Sequence, residues 1–89
     1  MKQILYFTAP WCEPCKTLKP EFRKLATEYP DLQFEEVDVS VEPKTANANK
    51  VRSVPTVLIL QDGETIDRYV NPTTADQIRS IIDSNHFIG

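Results

Sequence analysis

The chain has 89 residues, enough for one small domain, and its 40% hydrophobic and 26% charged residues are the balance of a folded globular protein rather than a disordered one. Ten basic against 13 acidic residues give a net charge of −3, and no basic run is longer than a pair, which argues against a nucleic-acid partner because phosphate binding needs clustered Lys and Arg. No apolar stretch approaches the roughly 20 residues of a membrane-spanning helix, so no membrane association is expected.

The N-terminus runs straight into Ile4-Leu5-Tyr6-Phe7. That run is too short for the core of a signal peptide, and the expected location is cytoplasmic. Residues 3–8, rich in branched and aromatic side chains, are read as a short buried strand. Ala9-Pro10-Trp11 then forms a loop that delivers Cys12. From 12 to 29 the period becomes helical: Leu18, Phe22, Leu25 and Tyr29 fall on one face. Pro14 sits in the first turn, where its missing N–H does no harm. Pro20 falls inside the helix and is expected to kink it.

Tyr29-Pro30-Asp31 ends this helix. Residues 32–39 are read as a second strand and 41–50 as a short helix entered through Glu42-Pro43. Residues 56–60 form a third strand, and Asp62-Gly63 is a hairpin signal leading to a fourth at 65–70. Thr74-Ala75-Asp76-Gln77 fits a capping box. It opens a last helix with Ile78, Ile81 and Ile82 inward. The order β-α-β-α-β-β-α describes an α/β fold with a four-stranded mixed sheet, one domain over residues 1–89.

Cys12 and Cys15 are the two cysteines and His86 the one histidine. A disulfide across so short a loop staples very little of the chain. A closed zinc site needs about four ligands, and these residues supply three, so a metal would have to be shared between two chains. No metal is expected. Two cysteines at this spacing, at the start of a helix, suit redox chemistry: the first faces unpaired backbone N–H groups and the positive end of the helix dipole, which favour a thiolate. Cys12 is therefore assigned as an exposed nucleophile and Cys15 as the resolving thiol.

Phe7-Thr8-Ala9-Pro10-Trp11-Cys12-Glu13-Pro14-Cys15-Lys16 resembles the active-site stretch of the thioredoxin family, usually W-C-G-P-C-K. The resemblance runs without a gap from about residue 4 to 85. Pro20 resembles the family's kinking proline, and Arg52-Ser53-Val54-Pro55-Thr56 its cis-proline segment. It implies a thioredoxin-like fold lacking the usual first strand and helix, with Pro55 cis and the Val54 backbone facing Cys12. A cis bond there turns an extended backbone edge toward the disulfide, where a substrate peptide can pair with it. It also implies a substrate-binding surface of Trp11, Val54 and Pro55 with Val70, beside Asn71, while Glu13, Pro14, Lys16 and Glu36 are read as residues that tune the couple.

This sequence departs from the family pattern at three places. The carboxylate that many members bury on the strand before the motif falls at Tyr6, and Glu36 is expected to supply it from the neighbouring strand; a solvated glutamate at the strand edge is the competing reading. Glu13 replaces the usual glycine. Its charge disfavours the Cys12 thiolate, partly offset by Lys16, and implies a couple at the reducing end of the family's range. Asn71-Pro72 replaces the family's glycine after the fourth strand and alters one wall of the groove.

The resemblance implies a protein-disulfide reductase: a monomer acting on oxidised protein substrates, supplied by an NADPH-dependent thioredoxin reductase and holding no cofactor beyond its redox-active disulfide. A glutaredoxin-like, glutathione-dependent enzyme is the nearest alternative, although its paired glycines are replaced here by Asn71-Pro72-Thr73-Thr74. A thioredoxin-fold scaffold subunit is the other. His86 is read as a solvated side chain.

Overall fold

The structure, a computed structural model, describes residues 2–71 and 74–86, the last two by backbone alone. The roles given to Pro72 and Thr73 in the groove and the solvation of the His86 side chain lie outside the described residues. Seven elements follow in the expected order: β1 (Lys2–Thr8), α1 (Glu13–Glu28), β2 (Gln33–Asp38), α2 (Pro43–Ala48), β3 (Thr56–Gln61), β4 (Glu64–Val70) and α3 (Ala75–His86).

The sheet order is β2-β1-β3-β4. β1 pairs in parallel with β2 and antiparallel with β3, and β3 pairs antiparallel with β4. The parallel pair is bridged by α1, as a crossover requires, whereas β3 and β4 need only a tight turn. Asp62 (φ 52°) and Gly63 (φ 88°) both enter the left-handed region there, the combination that matches the twist of a two-residue hairpin.

β1 is buried on both faces, and its alternation divides the core. Ile4 and Tyr6 join Leu18, Phe22 and Leu25 of α1 and Ile78, Ile81 and Ile82 of α3 on one side. Leu5 and Phe7 join Val37, Ala46, Val51, Leu58 and Leu60 on the other. An aromatic stack ties the first side together: Phe22 lies 4.8 Å from Tyr6, ring to ring, and 5.3 Å edge-on from Phe34. Tyr29 then closes α1 onto α3, its hydroxyl donating to Asp83 at 2.6 Å. Desolvation first, and then the bond to that carboxylate, push the phenol up to about 12.

Element ends differ from the sequence reading where backbone geometry decides them. Helix α1 begins at Glu13 because Cys12, with extended φ −87° and ψ 103°, is its N-cap rather than its first residue. It runs unbroken through Pro20 to Glu28. Helix α2 is shorter than 41–50, since it starts at Pro43 and stops at Ala48, before Lys50 turns left-handed at φ 58°. The two carbonyls just beyond its end are met from across the fold: the Arg68 guanidinium on β4 donates to those of Asn49 and Lys50. The capping box of α3 forms as read, with Gln77 N–H donating to Thr74 Oγ1 at 3.2 Å and Thr74 N–H to Gln77 Oε1 at 3.3 Å.

Candidate active site

β1 ends at Thr8, and a turn closed by the Cys12 N–H on the Ala9 carbonyl at 3.1 Å carries the chain into α1. This places Cys12 at the helix N-cap and Cys15 in the first turn. The Cys15 N–H donates to Cys12 Sγ at 3.3 Å, so the sulfur occupies the place of a capping oxygen. The two cysteines are joined as a disulfide, with Cα atoms 5.3 Å apart. In the reduced protein the same N–H and the helix dipole would stabilise a Cys12 thiolate.

One expectation is corrected: Cys12 is not exposed. It is 5% accessible and Cys15 1%, because both sulfurs belong to the cluster shared by α1, α3 and β1. Cys12 is still the more accessible of the two.

Around the disulfide, the Val54–Pro55 bond is cis, and Val54 packs against the cluster that contains both cysteines. Trp11, next to Cys12 in the chain, is 66% exposed and Val70 57%, apolar side chains left in water. Trp11 and Val54 share a groove of about 240 Å³ with Val39, Val51, Arg52 and Ser53. Val70 and Asn71 line a second, of about 410 Å³, against Gln77, Ser80 and Ser84 of α3. The Asn71 N–H donates to the Pro55 carbonyl at 2.8 Å. Asn71 adopts φ 56° there, which explains why a residue tolerant of the left-handed region stands at this point.

The charged residues are placed less directly. Glu13 and Lys16 form an exposed i,i+3 ion pair of 2.8 Å at the start of α1, and Pro14 is exposed beside them. Glu36 has its partner on α1. Its carboxylate accepts from Arg23 Nε at 2.6 Å and Nη2 at 3.0 Å, a two-bond clasp between α1 and β2. Its register partner is Tyr6. Burial first, and then the charge of Glu36, push the Tyr6 phenol up to about 12. Among the described residues no group of three or more His, Cys, Asp or Glu could hold a metal ion, and no helix is long and apolar enough to cross a membrane.

The Thioredoxin family's sequence model matches residues 1–84. This chain belongs to the thioredoxin family. It is 34% identical over 82 residues to a thioredoxin of the sponge Geodia cydonium, covering 92% of this chain and 77% of that protein. Mitochondrial thioredoxin-3 of Saccharomyces cerevisiae is 36% identical over 78 residues, covering 85% of this chain and 61% of the yeast protein. The chain thus spans from about half to three-quarters of such relatives, with 47% of one from Arabidopsis thaliana at the low end. The crystal structure of Fasciola hepatica thioredoxin superposes with a TM-score of 0.88 at 30% identity, over 93% of this chain and 79% of that one. In this thioredoxin-family chain, Cys12 and Cys15 of the C-x-x-C motif form a disulfide at the head of α1.

Two residues near that centre escaped the sequence reading. The strand pattern gives Thr8 no role beyond the strand, and the family comparison at Tyr6 concerns the carboxylate it replaces rather than its own hydroxyl. The available signal was a pair of hydroxyl side chains at i and i+2 in an otherwise apolar strand leading into the cysteines.

Proposed function

We propose that the chain, acting as a single domain over residues 1–89, is a protein-disulfide reductase that passes two electrons from the Cys12–Cys15 dithiol to oxidised protein substrates. The observation that carries this is the Cys12 sulfur at the N-cap of α1, accepting the Cys15 N–H. A thiolate held there attacks one sulfur of the substrate disulfide; that bond breaks, and the departing substrate thiolate takes a proton. Cys15 then loses its proton and attacks Cys12 Sγ. The mixed disulfide breaks, the second substrate thiol leaves, and the Cys12–Cys15 disulfide remains.

Trp11, Val54, Pro55, Val70 and Asn71 receive the substrate: their apolar exposure and the two flanking grooves suit an extended peptide around its cysteine. A flavoprotein thioredoxin reductase using NADPH returns the electrons. The protein works as a monomer in the cytoplasm, where it contributes to electron transport and redox homeostasis.

Glu13 and Lys16 set the couple in opposition. The carboxylate destabilises the thiolate and lowers the potential, while its pairing with Lys16 and its 81% exposure limit the effect. The test is a redox titration of the oxidised protein against a dithiol buffer. A reversible two-electron couple at a reducing potential is expected, and no reversible couple would remove the enzyme reading altogether.

Glu36 tunes the centre from the edge strand. Glu36→Gln opens the Arg23 clasp and removes the charge that acts on Tyr6. It is expected to move the pH–rate profile of disulfide reduction by about half a pH unit, the scale of a partly exposed ion pair. An unmoved profile would leave Glu36 the purely structural task of holding α1 to β2.

A further inference from the structure

Three hydroxyl side chains are buried along β1 and the start of β3: Tyr6 is 0% exposed, Thr8 2% and Thr56 1%. Thr56 is satisfied, its Oγ1 donating to the Ser53 carbonyl at 2.8 Å. The hydroxyls of Tyr6 and Thr8 have no hydrogen-bond partner among the described residues. Leaving such a group unpaired in a core costs about 1–3 kcal/mol, so two together are a large burden for a domain of this size.

Their position is specific. Tyr6 and Thr8 are two residues apart in β1 and share the face that α1 covers. Tyr6 belongs to the same cluster as Cys12 and Cys15, and Thr8 ends the strand where the chain turns into Cys12. The two hydroxyls are near enough to interact, since Thr8 draws the phenol pKa down a little against the larger effect of burial.

Reducing the disulfide creates a need at the same place. When a thiolate attacks Cys12 Sγ, Cys15 departs as a thiolate that is 1% accessible. An anion that deep must be met by a proton or by hydrogen bonds. In the opposite direction, the Cys15 thiol must lose its proton before it can resolve a mixed disulfide.

We infer that the Tyr6 and Thr8 hydroxyls form the proton path of Cys15, holding between them a buried water that delivers a proton to the departing Cys15 thiolate and removes it in the reverse step. A buried water needs two to four polar partners, and the two hydroxyls with the Cys15 sulfur supply three. Both relay the proton without changing charge, the proton being drawn from solvent and returned to it in the reverse step; the sulfurs alone exchange disulfide partners. The phenol stays neutral throughout the working range and passes a proton by taking one as it gives one. Of the charges packed around it, β2 contributes Glu36 and α1 contributes Arg23, clasped to Glu36. β3 offers the uncharged Val57 opposite Tyr6, and no charge of α3 is among those acting on the phenol in the described residues.

This inference rests on the dithiol chemistry proposed above, and its test is kept separate from substrate choice. The oxidised protein is reduced by dithiothreitol in a single turnover followed by Trp11 fluorescence. One dithiothreitol thiolate attacks Cys12, Cys15 leaves and is protonated, and the second closes the reductant's own disulfide, releasing Cys12. Tyr6→Phe keeps the ring on Phe22, and Thr8→Val keeps the shape of the threonine.

Each is expected to slow the turnover by on the order of a hundredfold, the reach of assisted proton transfer. The double variant is expected to be no slower than either single one, because both interrupt one path. The solvent isotope effect of the wild type should be lost, with thermal stability held or raised. Wild-type rate, isotope effect and pH profile in both variants would overturn the inference. So would a rate loss matched by a loss of stability, which marks packing alone. Failure of the wild type to reduce protein disulfides would sink the proposed function while leaving this test intact.

Discussion

Replacing Cys15 with serine is expected to turn the protein into a trap: substrate proteins accumulate on Cys12 as mixed disulfides that only an external thiol releases. Cys12 keeps its place at the N-cap and its hydrogen bond from the backbone N–H of residue 15, which a serine also supplies. The attacking thiolate is therefore retained while the group that resolves the intermediate is lost. Cys12→Ser should form no adducts, because the remaining thiol at position 15 is 1% accessible and cannot meet a protein disulfide. Both variants should fall to the background rate of the reductant. Non-reducing electrophoresis and intact mass distinguish them, and adducts on Cys12→Ser with none on Cys15→Ser would reverse the assignment.

Phe22→Ala is expected to remove most of the stability of the fold. The ring is 1% exposed and lies between Tyr6 and Phe34. Truncating such a side chain costs about 3–5 kcal/mol for lost transfer and cavity, and the aromatic contacts add about 1 kcal/mol. A domain of this length holds about 4–13 kcal/mol in total. Urea unfolding should show a sharply lower midpoint with an unchanged slope. The large exposed Trp11 offers the control, since Trp11→Ala should leave the midpoint within about 0.5 kcal/mol. A Phe22→Ala loss below about 1 kcal/mol would show that the core collapses around the gap.

These two expectations draw on different depths of the sequence. The redox centre was legible because its information is local: Cys12, Cys15 and Pro14 lie within one helical turn, and strand-to-helix periodicity places them at an N-terminus. The inward positions of α1 and α3 were legible for the same reason, since residues three and four apart share a face. The capping box at Thr74 and the turn at Asp62-Gly63 each carry their geometry within four residues.

What the sequence did not disclose depends on partners far along the chain. The clasp of Arg23 on Glu36 joins residues 13 apart and the bond from Tyr29 to Asp83 residues 54 apart. No local period encodes either. Arg68 reads as an exposed strand cation until the fold brings the end of α2 beside it. The burial of Cys12 was missed on the same ground: a helix N-terminus predicts which groups face the sulfur, whereas the cover over it comes from the tertiary cluster.

The sheet order has one more consequence. β1 and β3 are its two inner strands, each hydrogen-bonded along both edges. One leads into Cys12 and the other follows directly from Pro55. The disulfide and the peptide opposite it are thus hung from the two best-anchored segments of the backbone, the kind that opens last. A partner that tells the reduced form of this protein from the oxidised one is therefore expected to read the sulfurs and the surface over them rather than a displacement of β1 or β3.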